Sequence, residues 1–183
     1  MEFTPTSIPE VILIEPIVFG DDRGFFMEVF RSEQFAKAGL DLDFVQDNHS
    51  GSMQGILRGL HYQIRQTQGK LVRVVAGHIF DVAVDLRRNS PTFGQWVGHH
   101  LSAQNRLQMW IPKGFAHGFY VLSEWSEVVY KVTDYYSAQW ERTLFWNDPE
   151  IGIEWPLISG EQPILSSKDE QGVPIGEADL FDF

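Results

Sequence analysis

From residue 44 to residue 133, apolar and polar positions alternate in short runs, each closed by a turn signal. The runs fall at 44–48, 56–64, 70–75, 79–86, 95–101, 107–111, 118–122 and 127–133, with Ala76-Gly77-His78 and Arg88-Asn89-Ser90-Pro91 among the turns. Short strands at this spacing predict an all-β sandwich or barrel. Upstream, residues 1–10 read as extended and 11–14 as a short strand, with Pro16 confining the next residues to an edge or a turn. Asp21-Asp22-Arg23-Gly24 is a turn by composition, and 25–31 alternates as a strand. Residues 32–39 carry the clearest helix pattern, with Ser32 to cap its start and Gly39 to close its end. Beyond 133 the chain turns irregular. A helical turn is expected at 166–171, and the acidic end, 176–183, is expected to be loosely held. The expectation is one domain over 1–183: an N-terminal extension (1–43), a barrel core (44–133) and an irregular, partly helical C-terminal segment (134–183).

Period-two alternation also assigns faces. Val128, Tyr130 and Val132 share one, and the two valines draw Tyr130 inward with them. His61 shares a face with Gly59 and Gln63, which puts Arg58 on the other side of a regular strand. For Arg58 and His61 to meet one ligand the strand must bulge, and Gly59 is the natural place.

The composition narrows the class. At 183 residues the chain suffices for one full core, and 43% hydrophobic with 21% charged residues is ordinary for a globular protein. Aromatic residues reach 14%, with six Trp, which suits a β-rich core or a ring-lined pocket. There is no apolar run long enough for a bilayer, no signal-peptide pattern and no cysteine, so the expected setting is the cytoplasm without membrane contact. A net charge of −11 argues against a nucleic-acid partner but leaves room for a small anion bound by cations gathered in a pocket.

The chemistry centres on Arg58-Gly59-Leu60-His61-Tyr62-Gln63 and, a few residues on, Lys70. An imidazole between two cations fits a site that removes a proton and stabilises the anion left behind. A lone strand histidine is more commonly structural, so this stretch by itself does not decide. Pro112-Lys113-Gly114-Phe115-Ala116-His117 resembles the second motif of cupins, small β-barrels in which that histidine points inward. Metal-binding cupins add a His-x-His pair and a downstream Glu. Here the first motif reads His61-Tyr62-Gln63 with no Glu behind it, and two imidazoles would hold a divalent ion weakly. No metal and no cofactor is expected. Arg23 in its acidic turn, and the polar stretch Gln46-Asp47-Asn48, read most simply as a surface ion pair and a turn.

Together these motifs resemble the dTDP-4-dehydrorhamnose 3,5-epimerase family from about residue 14 to 169. The carriers are Asp22-Arg23-Gly24-Phe25, Gln46-Asp47-Asn48-His49-Ser50, the His61 and Lys70 segments, Phe80-Asp81-Val82-Ala83-Val84-Asp85, the His117 segment and Trp146-Asn147-Asp148-Pro149. The resemblance implies a double-stranded β-helix (the jelly-roll cupin barrel) with short peripheral helices, acting as a homodimer on dTDP-4-dehydro-6-deoxy-D-glucose. It implies His61 as general base paired with Asp169, Tyr130 as general acid, and Lys70 beside the enolate oxygen. Arg58, Arg23 and His117 would hold diphosphate and sugar. Glu28, Gln46, Asp47, Asn48, Glu141 and Lys168 would line the nucleotide end, with Arg23, Phe26 and Glu28 reaching a neighbouring subunit's site. The alternatives are an epimerase of carbon 3 or carbon 5 alone, a non-catalytic nucleotide-sugar-binding cupin, and a metal-dependent oxygenase.

Overall fold

The computed structural model describes residues 1–183, Ser159 by its backbone alone. One antiparallel sheet takes β1 (Glu2–Pro5), β2 (Ile12–Glu15), β5 (Gln46–Met53), β7 (Lys70–Ala76), β10 (Gln108–Ile111) and β12 (Trp125–Val132), in the order β1-β2-β10-β7-β12-β5. The opposite sheet takes β6 (Leu57–Gln63), β8 (His78–Asp85), β9 (Trp96–Ser102), β11 (Phe115–Val121) and β13 (Glu141–Thr143), in the order β13-β6-β11-β8-β9. From β5 to β13 the chain changes sheet at every step except β8 to β9, which makes the expected cupin jelly roll. β3 (Val18–Asp21) and β4 (Gly24–Met27) form a separate hairpin.

Alternation sets what each face buries. Val72, Val74, Ile79, Ala83, Met109, Phe119 and Val128 meet between the sheets, with Ile8 and Val11 of the N-terminal segment added to them. In β8 the alternate residues Phe80, Val82 and Val84 point the other way, into a second cluster with Ile151, Ile153, Ile175 and Phe181. Burial on both faces is why β8 reads as a nearly continuous apolar run. The irregular C-terminal segment thus covers the outer face of the five-stranded sheet. Its end is not loose: Phe181 is 3% exposed, its amide donates to Leu86 O (3.1 Å), and Tyr62 Oη donates to Asp179 O (2.8 Å). Phe181 and Ala178 outweigh the acidic residues around them; burying one such ring is worth about 1.5–3 kcal/mol.

Two local expectations are corrected. The helix α1 (Ser32–Lys37) has Arg31, not Ser32, at its N-cap, without a side-chain cap. It is held by Phe35, fully buried against Ile14 and Trp110, and closed as expected by Gly39 at φ +84°. The strand expected over 25–31 stops at Met27, because β4 has only β3 to pair with and the chain then turns into α1. The helical turn near 166–171 is α2 (Ser167–Glu170).

Gly59 makes the irregularity that the site requires. β11 pairs His117 with His61 and Phe119 with Arg58, so β6 carries one extra residue between these points. Gly59 has φ +126°, and a Cβ there would lie 2.5 Å from Gly118 Cα and 2.9 Å from His117 O. Only glycine tolerates both the torsion and the approach. Gly59→Ala is therefore expected to cost about 3 kcal/mol in chemical denaturation and to abolish turnover, whereas Gly176→Ala, at an open surface position, leaves both unchanged.

Candidate active site

Bulged β6 brings Arg58 and His61 to one cavity of about 300 Å³ between the sheets. One wall, from the five-stranded sheet, carries His61, His117, Phe119 and Glu141; the other, from the six-stranded sheet, carries Tyr130, Lys70, Gln46 and Asn48. His61 and His117 are direct partners across β6 and β11, so their rings enter side by side. Tyr130 enters from β12, where Val128 and Val132 are buried on the same face, as the alternation predicts.

His61 Nε2–H donates to Asp169 Oδ1 at 2.5 Å, and the Nδ1 lone pair is left free to take a proton. Asp169, 2% exposed, sits in the first turn of α2, where Ser166 donates its hydroxyl to Oδ2 (2.8 Å) and accepts from the Asp169 amide. Burial would raise the Asp169 carboxyl, but the bonds from His61 and Ser166 outweigh it and hold the pKa below the usual carboxylate value. Burial holds the His61 imidazole below its ordinary 6.5, against the upward pull of Asp169. The imidazole is therefore neutral at pH 7 and its orientation is fixed.

Lys70 is buried, its Nζ 3.4 Å from the His61 carbonyl. Burial pushes its pKa down to about 8, with Asp81 and Glu141 pulling upward. Asp81 lies beneath the cavity at 0% exposure; its Oδ1 accepts from His117 Nε2 (2.7 Å), and its Oδ2 has no partner among the described residues. Burial raises the Tyr130 phenol above its ordinary 10.0, with Arg58 opposing, so it holds its proton at pH 7. Arg58 is steadied by Ser52 Oγ (2.8 Å) and Gly51 O (3.3 Å). At the rim, Glu141 accepts from Lys168 Nζ (2.8 Å) and Tyr136 Oη (3.0 Å). Among the described residues no three His, Cys, Asp or Glu side chains are placed to share a metal ion.

Of the residues singled out in the sequence, His61, Tyr130, Lys70, Arg58, His117, Gln46, Asn48, Glu141 and Lys168 line this one cavity, and Asp169 touches it through His61. Asp47 does not. It lies on the opposite face of β5 and pairs with Lys131 (2.9 Å), as the alternation Gln46-in, Asp47-out, Asn48-in dictates. Arg23, Phe26 and Glu28 lie apart from it within one chain: Arg23 pairs with Asp21, Phe26 is 69% exposed on β4, and Glu28 meets Arg31 and Gln34. The sequence reading gave no role to Gln63, Gln68, Phe119 or Ser50, which also line the cavity. For Phe119 and Ser50, strand periodicity was the usable signal.

The sequence model of the dTDP-4-dehydrorhamnose 3,5-epimerase family matches residues 5–177. A dTDP-4-dehydrorhamnose 3,5-epimerase of Pseudomonas aeruginosa is 61% identical over 182 residues, 99% of each chain. The crystal structure of a dTDP-6-deoxy-D-glucose-3,5-epimerase from Legionella pneumophila, in complex with dTDP-4-keto-L-rhamnose, superposes with a TM-score of 0.96 at 52% identity, covering 100% of this chain and 98% of that one. A 3'-monoepimerase from Streptomyces bikiniensis, in complex with dTDP-quinovose, has the same fold at a TM-score of 0.88 and 34% identity, covering 94% of this chain and 87% of that one. With a family match along nearly its whole length and a relative 61% identical over 182 residues, the chain belongs to the dTDP-4-dehydrorhamnose 3,5-epimerase family.

Proposed function

We propose that His61 and Tyr130 are the base and the acid of a 3,5-epimerase reaction. The reaction turns dTDP-4-dehydro-6-deoxy-D-glucose into dTDP-4-dehydro-L-rhamnose. The ketone at carbon 4 acidifies the hydrogens at carbons 3 and 5. His61 takes one of them, the electrons move onto the carbon 4 oxygen, and the Lys70 ammonium stabilises that enolate. Tyr130 returns a proton to the same carbon from the other side, and the steps repeat at the second carbon. The observation that carries this reading is the neutral, Asp169-bound imidazole on one wall of a cavity whose other wall holds a protonated phenol and a buried ammonium.

Arg58 and His117 hold diphosphate and sugar, and Gln46, Asn48, Glu141 and Lys168 line the way to the nucleotide. A homodimer completes the site, one protomer's hairpin bringing Arg23, Phe26 and Glu28 to its partner. In support, Phe19, Phe25 and Phe26 stand 62%, 59% and 69% exposed on β3 and β4, a concentration of bare rings that marks an association surface. No helix among the described residues is long and apolar enough to cross a membrane. We place the reaction in the cytoplasm, with a nucleotide sugar and a second copy of the chain as its partners. We further propose that the chemistry needs no metal and no cofactor.

In heavy water the 4-keto sugar should gain deuterium at both carbon 3 and carbon 5; label at one carbon alone would make this chain a monoepimerase. His61→Ala and Tyr130→Phe should each lower kcat by about 10²–10⁴-fold while dTDP affinity stays within about threefold. Loss of binding without loss of turnover at saturation would exclude these roles. Activity should survive exhaustive chelation.

The pH profile follows from the two shifted groups. His61 works when neutral and burial lowers its pKa, so the acid limb of kcat/KM should lie below where an ordinary imidazole would set it. Lys70 works when charged, so kcat/KM should fall again as pH rises through about 8. Asp169 raises the His61 pKa, so Asp169→Asn should move the acid limb further down while lowering the maximum. Lys70→Met should leave a weak activity without the limb near 8.

A further inference from the structure

The chain between β12 and β13 crosses from one sheet to the other over the cavity mouth, and glutamine side chains hold its backbone at four successive residues. Gln68 Nε2 donates to Asp134 O (2.8 Å), and Gln63 Nε2 donates to Tyr135 O (3.2 Å). Gln46 Oε1 accepts from Tyr136 N (3.0 Å), and Gln63 Oε1 accepts from Ser137 N (2.7 Å). Gln63 is 4% exposed and gives its second amide hydrogen to Gln66 O (2.7 Å), so its whole side chain is committed to backbone. Gln46 comes from the six-stranded sheet, Gln63 from the five-stranded one and Gln68 from the loop joining β6 to β7, so the crossing is tied to both walls. Tyr136 rides on it, half exposed at the mouth, its hydroxyl on Glu141 (3.0 Å).

We propose that Gln63 is a positioning residue for the nucleotide end of the substrate: by fixing the backbone of residues 134–137 it keeps Tyr136 as a rigid edge of the cavity mouth. Gln63 lines the cavity, but its amide bonds only to backbone. It acts through the crossing, and a buried amide suits this because it donates twice and accepts once at the same place. Removing the donors leaves two carbonyls unpaired, and the crossing moves to find water. The inference rests on the epimerase reading for the identity of the nucleotide, but its test needs no turnover.

The test is calorimetric titration with dTDP, alongside steady-state kinetics with the 4-keto sugar. Gln63→Glu keeps the shape and sets a carboxylate against two carbonyls. The expected result is a rise of about tenfold or more in both the dTDP Kd and the KM, equivalent to about 1.4 kcal/mol, with kcat kept within about threefold. Gln54→Leu is the control: it removes an amide bond to Leu122 O (2.8 Å) away from the cavity, and should change none of the three. A dTDP Kd that stays put, a fall in kcat at constant KM, or an equal effect from the control would overturn the proposal. If Gln63→Glu does not fold, Gln68→Leu, which loses only the Asp134 bond, decides by the same criterion with a smaller rise of about threefold. A wild-type protein that binds dTDP but does not turn over the 4-keto sugar would defeat the epimerase reading and leave the dTDP criterion standing.

Discussion

An imidazole on a barrel wall has neither a fixed tautomer nor a fixed angle unless something sets them, and here a carboxylate from a distant part of the chain does both. The bond from His61 to Asp169 joins β6 to α2 across 108 positions of sequence. Burial keeps the ring neutral, and Asp169 restores part of the basicity that burial removes. The two effects oppose each other, and their difference leaves a group that is uncharged yet ready to accept. Ser166 holds the second oxygen of Asp169, so the orienting carboxylate is itself oriented. The bulge at Gly59, the cap of α2 and the pairing of residue 164 beside residue 56 all serve to bring these two side chains together.

The same competition governs the remaining charges. Burial pulls the Lys70 pKa down, and Asp81 and Glu141 oppose that shift. Asp81 keeps one oxygen for His117 and has no partner on the other among the described residues. Negative charge placed under a buried ammonium keeps it cationic without neutralising its outer side, which faces the cavity. The chain carries a net −11, yet this cavity gathers Arg58, Lys70 and Lys168. Local arrangement, not overall charge, decides which ions enter.

The strands, their faces and the bulge could be read from residues alone because period two is a local property. Tyr130 follows from its valine neighbours, and the need for a bulge follows from Arg58 and His61 lying three positions apart. The same rule, applied to β5, puts Asp47 on the face away from this cavity, while the family resemblance carried it along with its neighbours. The links that escaped are long-range or involve backbone. Nothing within the sequence near Ser166 names His61 as the partner of Asp169 without the resemblance. Gln63 and Gln68 were missed because their partners are main-chain groups, which leave no trace in residue identity. The C-terminal tail was misread because two apolar residues, Ala178 and Phe181, matter more there than the acidic residues that dominate its composition.

The placement of Asp169 also bears on how the protein comes into being. A ribosome makes the barrel strands before the segment that orients His61. Until residues 164–169 have emerged and paired beside β6, a nascent chain has Arg58 and Lys70 but lacks both Lys168 and the carboxylate that fixes the His61 ring. The orientation of His61 therefore arrives after the barrel strands, and a chain released before that segment would carry the ring without its partner.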